Sequence, residues 1–167
     1  HPLLQKLAGT DRRSTGKSNQ VVALVLKQPR LFRFVFAGIL EADPVLRMRC
    51  ADAAEKITAQ RPELLRPHKK QLIQRVAKIE QPEVRWHVAQ MLARLTLTPQ
   101  ERRAVVAILR EYLTDARRIV KTFSMQALAD IAAQDAALCP SIVKQLERLT
   151  RTGTPAMQAR GHKLLAK

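Results

Sequence analysis

Little in this chain favours a sheet. Glycine numbers only 5, aromatic residues make up 4% of the chain, and β-branched residues hardly ever alternate with polar ones. These shortages argue against strands and predict an all-α fold. Cysteine is as sparse: Cys50 and Cys139 stand far apart and neither belongs to a C-x-x-C pair. A disulfide framework is therefore not expected, and the two read as buried free thiols in a reducing, cytoplasmic compartment. No apolar run approaches the length of a membrane span, and no signal-peptide pattern is present. The chain opens on His1-Pro2 rather than Met, which reads as a fragment, a processed chain or a tag remnant.

Acidic residues are the next shortage. Against 30 Lys and Arg stand 14 Asp and Glu, a formal net charge of +16. Such an excess calls for an acidic partner, nucleic acid first among them. The competing reading is a highly soluble scaffold whose charge does nothing specific. Sites for metals and cofactors are not expected either. His1, His68, His87 and His162 lack ligand spacing, and no G-x-S-x-G nucleophile setting occurs. Gly16-Lys17-Ser18 does not complete a phosphate loop, because six residues rather than four separate Gly9 from Gly16 and no strand precedes them.

What the chain does have is proline in a repeating frame. Pro29 and Pro44, Pro67 and Pro82, and Pro140 and Pro155 are each 15 positions apart. Proline is favoured at the first position of a helix, where its missing N–H would be unpaired anyway. Each pair thus marks the start of one helix, a tight turn and the start of the next. First helices are expected over 44–57, 82–95, 119–131 and 155–165; second helices over 29–41, 67–80, 99–113 and 140–151. The first helices align at successive shifts of 38, 36 and 37 residues, which puts Leu46, Val84, Val120 and Met157 in one column and Ala54, Leu92, Leu128 and Leu165 in another. Thr98-Pro99-Gln100-Glu101 is a capping box, and Asp43-Pro44 and Thr154-Pro155 repeat the cap-plus-proline start. Ser14 or Ser18 begins a helix over 20–27, and Gly9 stops a short one over 2–8.

The helix junctions read Glu41-Ala42-Asp43-Pro44-Val45-Leu46-Arg47, Glu80-Gln81-Pro82-Glu83-Val84-Arg85 and Asp115-Ala116-Arg117-Arg118-Ile119-Val120-Lys121. This acid–Pro–Val–Arg pattern, in units of about 37 residues over positions 18–167, resembles HEAT repeats, including those of bacterial HEAT-like proteins. The resemblance implies a right-handed α–α superhelix of about four helix pairs plus a terminal helix, with units 14–42, 43–80, 81–115, 116–153 and 154–167 in a single domain. It specifies architecture and leaves activity open. The last unit departs from the pattern, since Gln158 replaces the basic residue and no second helix follows.

The basic residues fall into two sets. Arg47, Arg85 and Lys121 form a column that the resemblance assigns to a structural ladder, each cation bonding an acid or a turn carbonyl. On the second helices, Gln71, Arg75 and Lys78 are spaced i, i+4 and i+7, and 73 residues on come Lys144, Arg148 and Arg151. The middle unit interrupts this stripe with Ala107, Glu111 and Thr114. Lys69 and Lys70 in one unit and Arg102 and Arg103 in the next stand near the starts of the same helices. In HEAT arrays second helices line the concave, partner-binding surface, so the resemblance makes these cations a polyanion-binding set.

Trp86 shares a column with Met48 and Thr122 and is expected between repeats. Phe32, Phe34 and Phe36 spread around a helix, so that one or two are exposed on a terminal unit and support self-association. The leading reading is a non-enzymatic scaffold that presents a basic concave surface to an acidic protein or nucleic acid. The alternative is a HEAT-like DNA-binding protein related to alkylpurine DNA glycosylases, enzymes that group aromatic residues with a carboxylate. Here Glu101, Glu111 and Glu147 have no tryptophan near them, so this reading predicts DNA binding without catalysis. HEAT-like bilin lyase components are a third resemblance, with no residue to discriminate it.

Overall fold

The computed structural model describes residues 1–11 and 14–166. Those residues are about 75% helical, with ten α-helices and no strand, as the helical-repeat reading expects. They gather into two compact units, His1–Leu95 and Thr96–Lys167, a division that falls inside the expected unit 81–115. Lys167, the last position of the expected terminal unit, lies outside the described residues.

Unit 1 contains α1 (Pro2–Gln5), α2 (Ser18–Lys27), α3 (Phe32–Gly38), α4 (Pro44–Gln60), α5 (Lys69–Gln74) and α6 (Pro82–Ala93). The long α4 is its centre, packed against α2, α3 and α6. Asp43 caps it by accepting from Val45 N at 2.8 Å, with Pro44 at the first helical position. Val84, Ala54 and Leu92 are buried, while Leu46 is only half-buried.

Two second helices differ from expectation. In place of one helix over 67–80 there is a 3-10 stretch, Pro62–His68, then the six-residue α5, then a 3-10 turn, Val76–Lys78. Pro67 lies inside the first stretch rather than at a helix start, and it has no N–H to continue an α-helical ladder, so tighter turns take over. Likewise Pro29 opens a 3-10 turn, Pro29–Leu31, and α3 ends at Gly38 rather than 41. α2 begins at Ser18, one of the two residues expected to start it; Lys17 occupies the cap position, and the Ser18 hydroxyl donates to the buried Asp52 carboxylate.

The phenylalanines also depart from expectation. Phe32 and Phe36 are buried, and both pack against the His68 ring, at 5.5 Å and 4.3 Å between centroids. Phe34 is covered by His1, stacked on it at 3.7 Å. Phe32 and Phe36 are thus taken up inside unit 1, and Phe34 is half-buried under His1.

Arg49, only 5% exposed, fixes the segment before α2. Its Nη1 donates to the carbonyls of Leu7 (3.0 Å) and Ala8 (2.9 Å), its Nη2 to Asp11 (3.0 Å) and its Nε to Ser14 (3.0 Å). Buried charge is costly unless it is fully hydrogen-bonded, and here carbonyl dipoles supply the partners.

Unit 2 contains α7 (Pro99–Tyr112), α8 (Arg118–Ala132), α9 (Cys139–Thr152) and α10 (Pro155–Leu165), with α8 packed on α7, α9 and α10. The capping box forms: Thr98 N donates to Glu101 Oε2 at 2.8 Å, and Glu101 N to Thr98 Oγ1 at 3.2 Å. Val120, Leu128 and Met157 are buried as expected, but Leu165, in the last turn of α10, is 39% exposed. No helix is long and apolar enough to cross a membrane among the described residues.

Candidate polyanion-binding site

α9 is sharply two-sided. Ile142, Leu146 and Thr150 recur every four residues and are buried; Lys144, Arg148 and Arg151 lie on the exposed side. These three cations line a cleft of 580 Å³ together with Arg110 of α7 and Glu147, the cleft's one carboxylate. Arg110 is held in place there: its Nε donates to Gln145 Oε1 at 3.0 Å and its Nη2 to Ser141 Oγ at 2.6 Å. Neither bond neutralises its charge. The cleft therefore presents a guanidinium held by two hydrogen bonds beside three long, exposed cations.

The repeat alignment missed Arg110, because it assigned Ala107, Glu111 and Thr114 to the stripe. A local signal was available. α7 buries Val105, Val106, Leu109 and Tyr112, which leaves Arg103, Ala107 and Arg110 on the opposite side at i, i+4 and i+7. Arg103 is exposed there, whereas Arg102 turns away. Its Nη1 donates to Asp135 Oδ2 at 2.7 Å and its Nη2 to the Leu97 carbonyl at 3.2 Å. The guanidinium holds the Asp135 carboxyl below its ordinary pKa, chiefly through that hydrogen bond. Arg102 thus joins two turns and is not a free phosphate ligand.

In unit 1, Lys70, Arg75 and Lys78 are exposed and Lys69 is half-buried. Since α5 ends at Gln74, Gln71, Arg75 and Lys78 do not share one α-helical face, contrary to expectation. The ladder residues bond to turns. Arg47 Nη2 donates to the Glu41 carbonyl at 2.8 Å, and Arg85 Nε to the Ile79 carbonyl at 3.2 Å. Gln158 does the same work in the last copy, donating to the Gly153 carbonyl at 3.1 Å. Lys121 is half-buried. Gln81 ties successive first helices together, donating to the Pro44 carbonyl at 2.9 Å.

No family model matches the chain, and no curated protein matches it in sequence. Among solved structures, an engineered protein known from a crystal structure superposes with a TM-score of 0.66 at 18% identity, over 98% of this chain and 76% of that one. At that identity the likeness shows the fold alone.

Proposed function

We propose that this protein is a non-enzymatic, HEAT-type scaffold of the cytoplasm, and that it binds a polyanion, nucleic acid before an acidic protein, along the α7–α9 cleft. The observation that carries this reading is the convergence of Arg110, Lys144, Arg148 and Arg151 on one cleft with a single carboxylate. The stripe on α9 runs about 10 Å along the helix, enough to follow a backbone of repeated anions. No aromatic residue lines the cleft, so bases have nothing to stack on and binding is expected to ignore sequence. Free thiols at Cys50 and Cys139 support a reducing compartment. Burial pushes the Cys50 thiol up to about 12, which makes it inert.

The test is binding to duplex DNA, RNA and an acidic polypeptide as salt is raised. Four neutralised phosphates give a log–log slope near −3.6, at about −0.9 per phosphate. Arg148→Glu with Arg151→Glu should abolish most of the affinity while helix content stays unchanged. Loss confined to the acidic polypeptide would make the partner a protein. Unaltered binding of all three would refute the cleft.

A further inference from the structure

Unit 1 carries a second cavity, of 290 Å³, between α4, α6 and the segment before α2. Met48 and Trp86 give it apolar walls, and Ser14, Thr15, Arg49, Asp52, Glu83 and His87 line the rest. Which ligand suits it follows from which polar groups are still open. The donors are largely spent. The Arg49 guanidinium is committed to the four carbonyls of the preceding segment. Close by, the Lys56 ammonium donates to Asp52 Oδ2 at 2.8 Å and to Asn19 Oδ1 at 3.0 Å, and the Ser18 hydroxyl also serves Asp52 Oδ2.

The acceptors are not spent. The Lys56 and Ser18 bonds to Asp52 both fall on Oδ2; the other oxygen, Oδ1, faces His87 Nε2 at 4.0 Å, too far for a hydrogen bond. His87 is itself 9% exposed, and its Nδ1 is buried without a hydrogen-bond partner. Burial pushes the imidazole down to about 4, so near neutral pH the ring is uncharged and one nitrogen keeps a lone pair. Glu83, half-buried in the first turn of α6, has no ion-pair partner among the described residues. The carboxylate oxygens left open at the cavity, Asp52 Oδ1 and those of Glu83, point to a ligand that brings donors. Among the described residues the nearby cations are already bonded, so an anion would meet only neutral donors there, the Ser14 and Thr15 hydroxyls and the Trp86 N–H. A metal ion is poorly served, because no group of three ligating side chains converges among the described residues.

We propose that this cavity binds a guanidinium cation, carried by a small molecule or by an arginine side chain of another protein. A guanidinium is flat, so it can lie on the Trp86 indole and gain cation–π attraction. Its forked N–H groups reach separated acceptors, whereas an ammonium is a compact point donor. Glu83 supplies the compensating charge, since the positive charge of Arg49 is already met by backbone carbonyls. The proposal is independent of the α7–α9 cleft, which lies in the other unit.

Trp86 is the only tryptophan of the chain, so its fluorescence reports on this cavity directly. The full chain is titrated with arginine amide and with citrulline amide, which keeps the shape and loses the charge; calorimetry runs in parallel. Arginine amide should bind saturably, and citrulline amide about tenfold more weakly or worse. Glu83→Gln should weaken arginine amide by a similar factor with the thermal melt unchanged. A short arginine-containing peptide that binds much more tightly than the amide identifies a partner's side chain, and equal binding identifies a small compound. The proposal is overturned if neither method detects saturable binding of arginine amide, if citrulline amide binds equally well, or if Glu83→Gln leaves the affinity unaltered.

Discussion

Thr150 Oγ1 stands 1.8 Å from the point where a Cβ on Gly161 would lie, and Thr150 Cβ stands 2.8 Å from it. The two helices α9 and α10 therefore meet side chain against backbone, and the spacing depends on a bare glycine. In a helix interior, Ala is ordinarily favoured over Gly by about 1 kcal/mol. Here the clash should win, and Gly161→Ala is expected to destabilise unit 2 by about 1–3 kcal/mol in denaturant unfolding. Thr150→Ala made together with it should recover part of the loss, which a double-mutant cycle would show as coupling. An alanine variant as stable as the parent would mean that the helices are not spaced by this contact.

Leu92 is fully buried in α6, a helix that packs against α4. Replacing it with Asp puts a charge where no partner exists. The expected cost is several kcal/mol, visible as loss of the cooperative melt of unit 1. The control is Leu165→Asp, at an exposed position, which should change stability by about 0.5 kcal/mol or less.

That contrast also shows how far the pattern of residues reaches. Leu92 and Leu165 occupy one column of the repeat, and periodicity alone gives them equal weight. What separates them is the presence of a neighbour over the face, a tertiary fact that spacing does not encode. Cap chemistry is local, so Asp43, Thr98 and Thr154 could be recognised from their own surroundings. Pro67 misled because proline marks a helix start and a 3-10 turn with the same residue. The α9 cations were legible for the same reason as the caps: one helix carries them all. Arg110 was not, because it reaches the cleft from another helix, and alignment by repeat hid the apolar period of α7.

His87 should make unit 1 sensitive to acid. Burial lowers its pKa from 6.5 to about 4, outweighing the nearby Asp52 and Glu55 carboxylates, which favour the proton. The unfolded chain binds a proton at higher pH than the folded one, so stability falls as pH drops from about 6.5 towards about 4. The half-buried His68, also lowered by burial, acts with the same sign. Glu63 and Asp135, held low by Arg61 and Arg102, add their losses only at the acid end of that window. Unfolding free energies measured at intervals from pH 7 to pH 4 should decline by a few kcal/mol, and His87→Asn should flatten most of that slope. A parent protein with constant stability across this range would contradict a neutral, buried His87.

Arg49 holds the segment before α2 through carbonyl oxygens, a group that every amino acid carries. A clamp of this kind is indifferent to side-chain identity in what it grips. The Ser14 hydroxyl also accepts from Gly16 N at 3.0 Å, whereas Ala8 can drift to other residues without loosening the clamp. Gly9 and Gly16 cannot, because each has positive φ (153° and 56°) and a Cβ there would stand 2.6 Å and 2.9 Å from the guanidinium. The constraint on side-chain identity is thus concentrated in one arginine and two glycines, and a grip on backbone oxygens lets surface chemistry beside the cavity change without touching the clamp.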